Sequence, residues 1–82
     1  MPRLIDEAEY KRLASLLAEV RDEVGLTQTE LGARLGKRQK FVSVIETGVR
    51  RIDFLELLAF ERALGLPQLS LVRRVVRVLK DA

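Results

Sequence analysis

Residues 37–51 form the most strongly basic block of the sequence and are the first candidate for chemistry. The block contains five basic residues and one acidic residue: Lys37, Arg38, Lys40, Arg50, Arg51 and Glu46. The flanking stretches 1–36 and 52–66 are both net negative. A compact basic block is the electrostatic footprint of a surface that binds a polyanion. On charge alone, an ordinary solvated surface is the simpler interpretation.

The residue types that are missing exclude several kinds of site. The chain has 82 residues with no Cys and no His. It therefore lacks disulfides, thiolate metal sites and the commonest acid–base catalyst. We expect no metal, no cofactor and no enzymatic activity. An apolar run of about 20 residues, which a membrane span needs, is absent from the sequence, as is a signal-peptide core. We expect no membrane partner and a reducing, cytoplasmic compartment.

Helix start and stop signals divide the chain into five segments. Capping boxes, in which a cap residue and a Glu three residues later bond reciprocally, begin at three positions: Asp6, Thr27 and Asp53. Glycines stand at four expected helix ends: Gly25, Gly36, Gly48 and Gly65. The pattern predicts one all-α domain over residues 1–82, with helices at about 7–24, 28–35, 38–47, 54–64 and 68–81. The last helix begins either near Pro67 or with Ser70 as its N-cap.

Gly32 is unusual because it lies inside the second predicted helix. A glycine there costs about 1 kcal/mol relative to alanine. Close approach by the backbone of a neighbouring helix explains this cost. Together with a tight turn at Gly36, Gly32 predicts that the third helix folds back across the second. Residues 28–47 therefore form a helix-turn-helix pattern.

This stretch resembles the phage-repressor-like helix-turn-helix family, also called the Cro or xenobiotic-response-element (XRE) type. The resemblance covers residues 13 to about 66. It rests on these segments: Leu26-Thr27-Gln28, Glu30-Leu31, Leu35-Gly36, Gln39, Val42-Ser43, Glu46, Gly48 and Ala63-Leu64-Gly65. The family fold is a compact bundle of four or five helices. Its third helix lies in the major groove of double-stranded DNA, and its second helix braces the third.

The resemblance implies two groups of DNA-contacting residues. Residues on the outer face of the third helix contact bases: Gln39, Lys40, Ser43 and Val44. Residues around that helix bind phosphates: Thr27, Gln28, Lys37, Arg38, Thr47, Arg50 and Arg51. Lys37 departs from the pattern, because it takes the N-cap position of the third helix, where Ser or Thr would satisfy a backbone N–H. A nearby phosphate would make the extra charge tolerable.

Arg21 and Glu46 are predicted to form a buried structural ion pair. Helical periodicity places Arg21 close to the apolar face of the first helix rather than on its polar face. A lone arginine there usually extends its head to water. The resemblance pairs it instead with the Glu of Glu46-Thr47-Gly48. We therefore assign Glu46 to structure rather than to DNA contact.

The last helix has an apolar face wider than the roughly 100° stripe that packing on one core requires. We expect a homodimer with Leu71, Val75 and Val78 in the interface. Packing within the chain's own domain is the second interpretation. A basic amphipathic helix on a membrane surface is the third.

The predicted function is sequence-specific DNA binding by a transcriptional regulator. A homodimeric repressor on a near-palindromic operator fits the motif best, with DNA contact from the third helix. The chain would then associate with the nucleoid when bound. The alternative is an antitoxin or another protein-interaction module that binds DNA only for autoregulation.

Overall fold

Five α-helices make up the fold in the computed structural model, which describes residues 4–80. They are α1 (Glu7–Val24), α2 (Gln28–Arg34), α3 (Gln39–Glu46), α4 (Phe54–Ala63) and α5 (Ser70–Lys80). The all-α prediction is confirmed, since this part of the chain contains no strand. The predicted end of the last helix at residue 81 lies outside the described residues. Within residues 4–80, none of the helices combines the length and the hydropathy that crossing a membrane requires.

The predicted start and stop signals set the helix ends. Asp6, Thr27 and Asp53 each accept a backbone N–H three residues on, and the Glu at that position reciprocates in all three boxes. The four glycines at the predicted ends have left-handed backbone, with φ between +69° and +89°. Of these, Gly36 creates the tight turn between α2 and α3.

The turn between α2 and α3 explains Gly32. A Cβ at this position would lie 3.0 Å from the carbonyl oxygen of Lys37 and 3.1 Å from that of Arg38. The N–H of Lys37 donates to the carbonyl of Gly32 at 2.8 Å. Backbone does approach Gly32 closely, and it belongs to the turn that leads into α3. The N-cap of α3 is Arg38, with no side-chain cap bond, so the prediction of Lys37 as the N-cap was wrong by one residue.

The core lies where α1 packs on α3 and α5, and α4 closes it against α5. Its fully buried large side chains include Leu17, Leu31, Ile45, Phe60 and Leu71. Two of the predicted dimer-interface residues belong to this core: Leu71 is 0% exposed and Val75 is 7% exposed. The expectation that they face a second protomer was wrong, because α1 and α4 already cover that side of α5. Val78 is partly buried against the same core.

The start of α5 differs from both predicted starts, because a side chain from α4 caps the helix. The carboxylate of Glu61, which is buried, accepts the N–H groups of Leu69 and Leu71, each at 2.8 Å. These bonds satisfy two donors that the first turn of a helix leaves free. Leu69 adopts a left-handed φ of 69°, so the residue before α5 is not helical. The helix begins at Ser70.

Candidate nucleic-acid interface

The exposed face of α3 carries the predicted base-contacting residues. Gln39 and Lys40, in its first turn, are exposed, while Ser43 and Val44 are half-buried. Val44, predicted on the outer face of this helix, is therefore less accessible than Gln39 and Lys40. Val42 and Ile45 are 0% exposed and fix which side of α3 faces outward. The result is an outward face with polar residues at the N-terminal end of the helix and a smaller apolar surface one turn later.

A chain of hydrogen bonds runs from the core to the start of α3. The Nε of Arg21 donates to Oε2 of Glu46 at 2.8 Å, and its Nη2 donates to Oε1 at 3.1 Å. Arg21 also donates to the carbonyl of Leu26 at 2.7 Å, which ties the pair to the turn before α2. The Nε2 of Gln28 donates to Oε1 of Glu46 at 2.8 Å. Gln28 Oε1 in turn accepts from Gln39 Nε2 at 2.6 Å.

This chain fixes the orientation of two amides. Both carboxylate oxygens of Glu46 accept hydrogen bonds from Arg21, and the NH₂ group of Gln28 donates to one of them. The oxygen of Gln28 then faces Gln39 and takes one of its two N–H donors. Gln39 keeps its Oε1 acceptor and one N–H donor. An amide with one free acceptor and one free donor matches the N6 and N7 edge of adenine in the major groove.

The Arg21–Glu46 pair is the most deeply placed ionic contact of this region. The side chain of Glu46 is 3% exposed and that of Arg21 is 12% exposed. The hydrogen bonds that the guanidinium donates to Glu46 raise its pKa above the ordinary value. The pair joins α1 to the end of α3, with Gln28 of α2 attached to it. It therefore holds the helix-turn-helix against α1.

Arg50 lies in the segment after α3 and is already engaged by protein groups. Its Nη1 and Nη2 donate to the two carboxylate oxygens of Glu56 at 2.9 and 2.8 Å. These bonds hold the pKa of Glu56 below its ordinary value, and the Asp53 N–H adds to the effect. The guanidinium carbon also lies 5.1 Å from the ring centroid of Phe41. Arg50, which was predicted to bind phosphate, therefore already has a carboxylate partner, although 44% of its side chain is exposed.

Arg51 is positioned by Tyr10 of α1. Its guanidinium carbon lies 4.8 Å from the centroid of the tyrosine ring, within the range of a cation–π contact. The Tyr10 hydroxyl donates to the carbonyl of Arg50 at 3.0 Å and accepts the N–H of Ile52 at 2.7 Å. Burial raises the pKa of this hydroxyl above its ordinary value. Arg51 itself is exposed, so its charge faces solvent from an anchored backbone.

The other predicted phosphate-binding residues lie around α3 and differ in whether their side chains already have partners in the protein. Lys37 Nζ lies 5.4 Å from the Phe41 centroid, and Arg38 is exposed at the N-cap of α3. The Thr27 hydroxyl is used in its capping box, and the Thr47 hydroxyl donates to the carbonyl of Val44 at 3.3 Å. Both threonine hydroxyls therefore form hydrogen bonds with the backbone of their own helices. The positive charge around α3 comes from the lysine and arginine side chains.

Phe41, Glu56 and Tyr10 are the residues that sequence reasoning missed. The ring of Phe41 contacts the cations of Lys37 and Arg50. Glu56 binds Arg50 in addition to its capping role. Tyr10 forms a hydrogen bond with the backbone of the segment before α4. The signal for Phe41 was present, because it is the one aromatic residue inside the basic block. The contacts of Glu56 and Tyr10 join residues that only the tertiary fold brings together.

Comparisons with known proteins identify the family of this chain. A family model described as Helix-turn-helix matches residues 17–67. The chain is 39% identical over 62 residues to the HTH-type transcriptional regulator y4dJ of Sinorhizobium fredii, which covers 76% of this chain and 80% of that protein. Its structure is similar to that of an XRE-family like protein from Pseudomonas syringae pv. tomato. That similarity has a TM-score of 0.75 and 41% identity, over 85% of each chain. The expected family and fold are confirmed, and the chain belongs to the XRE-type helix-turn-helix family of DNA-binding transcription regulators.

Proposed function

We propose that this chain is a homodimeric repressor that recognises a near-palindromic operator. The N-terminal turn of α3 enters the major groove, with Gln39 and Lys40 on base edges and Ser43 and Val44 beside them. Lys37, Arg38, Arg50 and Arg51 contact the flanking phosphates, with Thr27, Gln28 and Thr47 at the margins. A domain of this kind represses by occupying a promoter, which requires only tight binding. The compartment is then the cytoplasm, where a bacterial-type operator lies.

One observation carries the proposal: the amide of Gln39 is held in a fixed orientation at the exposed start of α3. Gln28 and Glu46 hold this amide through a chain of bonds that ends at the partly buried Arg21. A preorganised amide loses little conformational freedom when it contacts a base, and preorganisation favours specific binding. Cations lie on both sides of it along the chain. This arrangement favours base recognition over a merely solvated basic surface.

Selection of bound duplexes from a random DNA pool tests the proposal. We expect enrichment of a near-palindrome whose half-site centres are about one helical turn, roughly 10 base pairs, apart. A matched pool with Gln39→Ala protein controls for enrichment that depends only on charge. Enrichment of no sequence by the wild-type chain would contradict sequence-specific regulation. It would favour the alternative, a protein-interaction module that uses DNA incidentally.

The proposed dimer contact is an apolar patch of α4 and the α4–α5 segment, formed by Phe54, Leu55, Leu58, Leu66 and Leu69. Phe54 is 60% exposed and Leu55 is 75% exposed. Phe54 and Leu69 line one groove of about 350 Å³ with Leu58 and Leu66. An exposed apolar cluster of this kind is typical of a protein–protein contact. None of the residues that line this groove is assigned to DNA, so a second copy seated there covers none of the proposed DNA contacts directly.

Substitutions in this patch and in α5 test which of the two surfaces forms the dimer contact. We expect Phe54→Glu and Leu55→Glu to give folded monomers, because both side chains are largely exposed and the first turn of a helix tolerates acidic residues. Val76→Glu, on the exposed side of α5, is the matched control and should leave the dimer intact. Sedimentation with and without a two-half-site duplex measures the result. Loss of the dimer in Val76→Glu alone would restore α5 as the interface.

A further inference from the structure

A second charged surface lies between α1 and α5, away from the residues assigned to DNA. Two depressions of about 280 and 250 Å³ share Leu16, Glu19 and Val78 in their linings and so form one continuous groove. We call it the α1–α5 groove. None of the residues that we assign to bases or phosphates lines it. The DNA-binding proposal therefore leaves this surface unexplained.

The α1–α5 groove combines an apolar floor with cationic walls. Leu16 and Val78 form the floor, while Lys11, Arg12 and Arg77 stand along the sides. Within residues 4–80, no carboxylate forms an ion pair with any of these three cations. A fourth cation, Arg74, is paired with Glu23 at 2.8 Å, and Glu19 is the one acidic residue in the lining. The groove therefore has a net positive charge that the described chain does not neutralise.

Arg12 provides an independent observation. Its Nε atom is buried from solvent and has no hydrogen-bond partner among the described residues. An N–H without water and without an acceptor costs free energy, and such groups are rare in folded proteins. A carboxylate that enters the groove supplies the missing acceptor after a small rotation of the side chain. The guanidinium is suited to hold a carboxylate through two parallel hydrogen bonds.

The shape of the groove distinguishes among anionic ligands. Both depressions are open to solvent, so a small carboxylate seated in one of them would keep much of its surface in water and gain little from burial. The surface of a nucleic-acid backbone is dominated by charged phosphates and offers little apolar area to Leu16 and Val78. A helical polypeptide with an apolar face flanked by acidic side chains uses both features. The α1 segment from residue 11 to residue 19 spans about 12 Å, which is the length of about two helical turns.

We infer that the α1–α5 groove binds an acidic, amphipathic segment of another protein. An apolar side chain of that segment lies on Leu16 and Val78, and its carboxylates pair with Arg12 and Arg77. This inference does not depend on the proposed operator binding, because the two surfaces share no residue. It gives the regulator a means of contacting a protein partner while α3 remains on DNA.

Titration of the full chain with a defined peptide tests the inference. The probe is a synthetic acidic helix of about 12 residues, built from Glu, Leu and Ala with its Leu on one face. Its control is a peptide of the same composition without an apolar face. We expect the first peptide to shift the NMR signals of the Leu16 and Val78 methyl groups and of the Arg12 Nε–H. The scrambled peptide should leave these signals unchanged.

Matched variants locate the binding. The double variant Arg12→Gln, Arg77→Gln should weaken peptide binding by about tenfold or more, because each lost pair removes a charge-assisted hydrogen bond. Arg73→Gln, an exposed arginine of α5 outside the groove lining, should bind as the wild type does. The double variant should also keep wild-type binding to DNA, which shows that it is folded.

Three outcomes would overturn the inference. The first is the absence of any shift at millimolar peptide. The second is equal weakening by the double variant and by Arg73→Gln, which indicates nonspecific attraction. The third is the same set of shifts with inorganic phosphate or a random duplex, which assigns the groove to phosphate groups instead of an acidic protein segment.

Discussion

Replacing Glu46 with alanine is expected to lower the free energy of unfolding by about 3–5 kcal/mol in the absence of DNA. The substitution leaves the guanidinium of Arg21, which is 12% exposed, without its main partner. It also removes the acceptor of Gln28. A buried charge that loses its partner keeps the cost of leaving water and loses the attraction that offset it. Urea denaturation followed by circular dichroism measures the effect.

Glu23→Ala is the matched control for this prediction. Glu23 also lies in an arginine pair, with Arg74 at 2.8 Å, but its side chain is 50% exposed. Exposed pairs contribute little to stability, because water and salt screen both charges. We therefore expect a nearly unchanged unfolding midpoint. Equal midpoints for wild type, Glu46→Ala and Glu23→Ala would show that the Arg21–Glu46 pair is not a structural element of the fold.

The local signals in the sequence were sufficient to place most helix ends. Capping boxes and terminal glycines act through bonds that span three or four residues. The helix ends that they set can therefore be predicted without knowledge of the tertiary structure. The start of α5 was missed for the opposite reason. Its cap is Glu61, whose partners Leu69 and Leu71 lie eight and ten residues further along the chain. No local rule connects a side chain in one helix with the first turn of the next.

Of the contacts in the candidate site, the sequence predicted one, and the others depend on the tertiary fold. Arg21 and Glu46 were predicted as an ion pair, and this contact is present in the structure. Gln28 and Gln39 were predicted only as separate residues, without a bond to each other or to Glu46. The bonds that link them into one chain depend on where α2 and α3 lie relative to α1. The same holds for Arg50, whose binding to Glu56 requires α4 to lie beside the segment after α3. The wide apolar face of α5 was taken as a sign of a dimer. In the structure, α5 packs against two helices of its own chain, α1 and α4, and this explains the width.

Removing Gln39 or Lys40 is expected to change which sequences the protein prefers. Gln39→Ala or Lys40→Ala should cost about 1–3 kcal/mol on the preferred site and relax the preference at one or two base pairs. Both side chains are exposed in the first turn of α3, where a helix in the major groove presents its base contacts. Val44 lies four residues after Lys40, on the same face one turn later, and we expect it to make a smaller apolar contact.

Gln28→Ala should weaken the preference for the same base pair as Gln39→Ala does. Without Gln28, the amide of Gln39 loses the acceptor that fixes its orientation, while its own side chain remains. We therefore expect a partial loss of preference at the same base pair that Gln39→Ala affects. Binding to random DNA should fall less, because neither substitution removes a positive charge. A loss of preference at a different base pair would contradict the positioning of Gln39 by Gln28.

Arg51→Ala should behave differently from all of these variants. Its guanidinium lies beyond the end of α3 and over the ring of Tyr10, and we propose that it contacts phosphates rather than base edges. Loss of one phosphate contact should weaken every sequence about equally and reduce the slope of log affinity against log salt by about one unit. Titrations against matched, single-mismatch and random duplexes at several salt concentrations measure both properties. A change of base preference in Arg51→Ala, together with uniform weakening in Lys40→Ala, would reverse the two assignments and place the base contacts after α3 rather than on it.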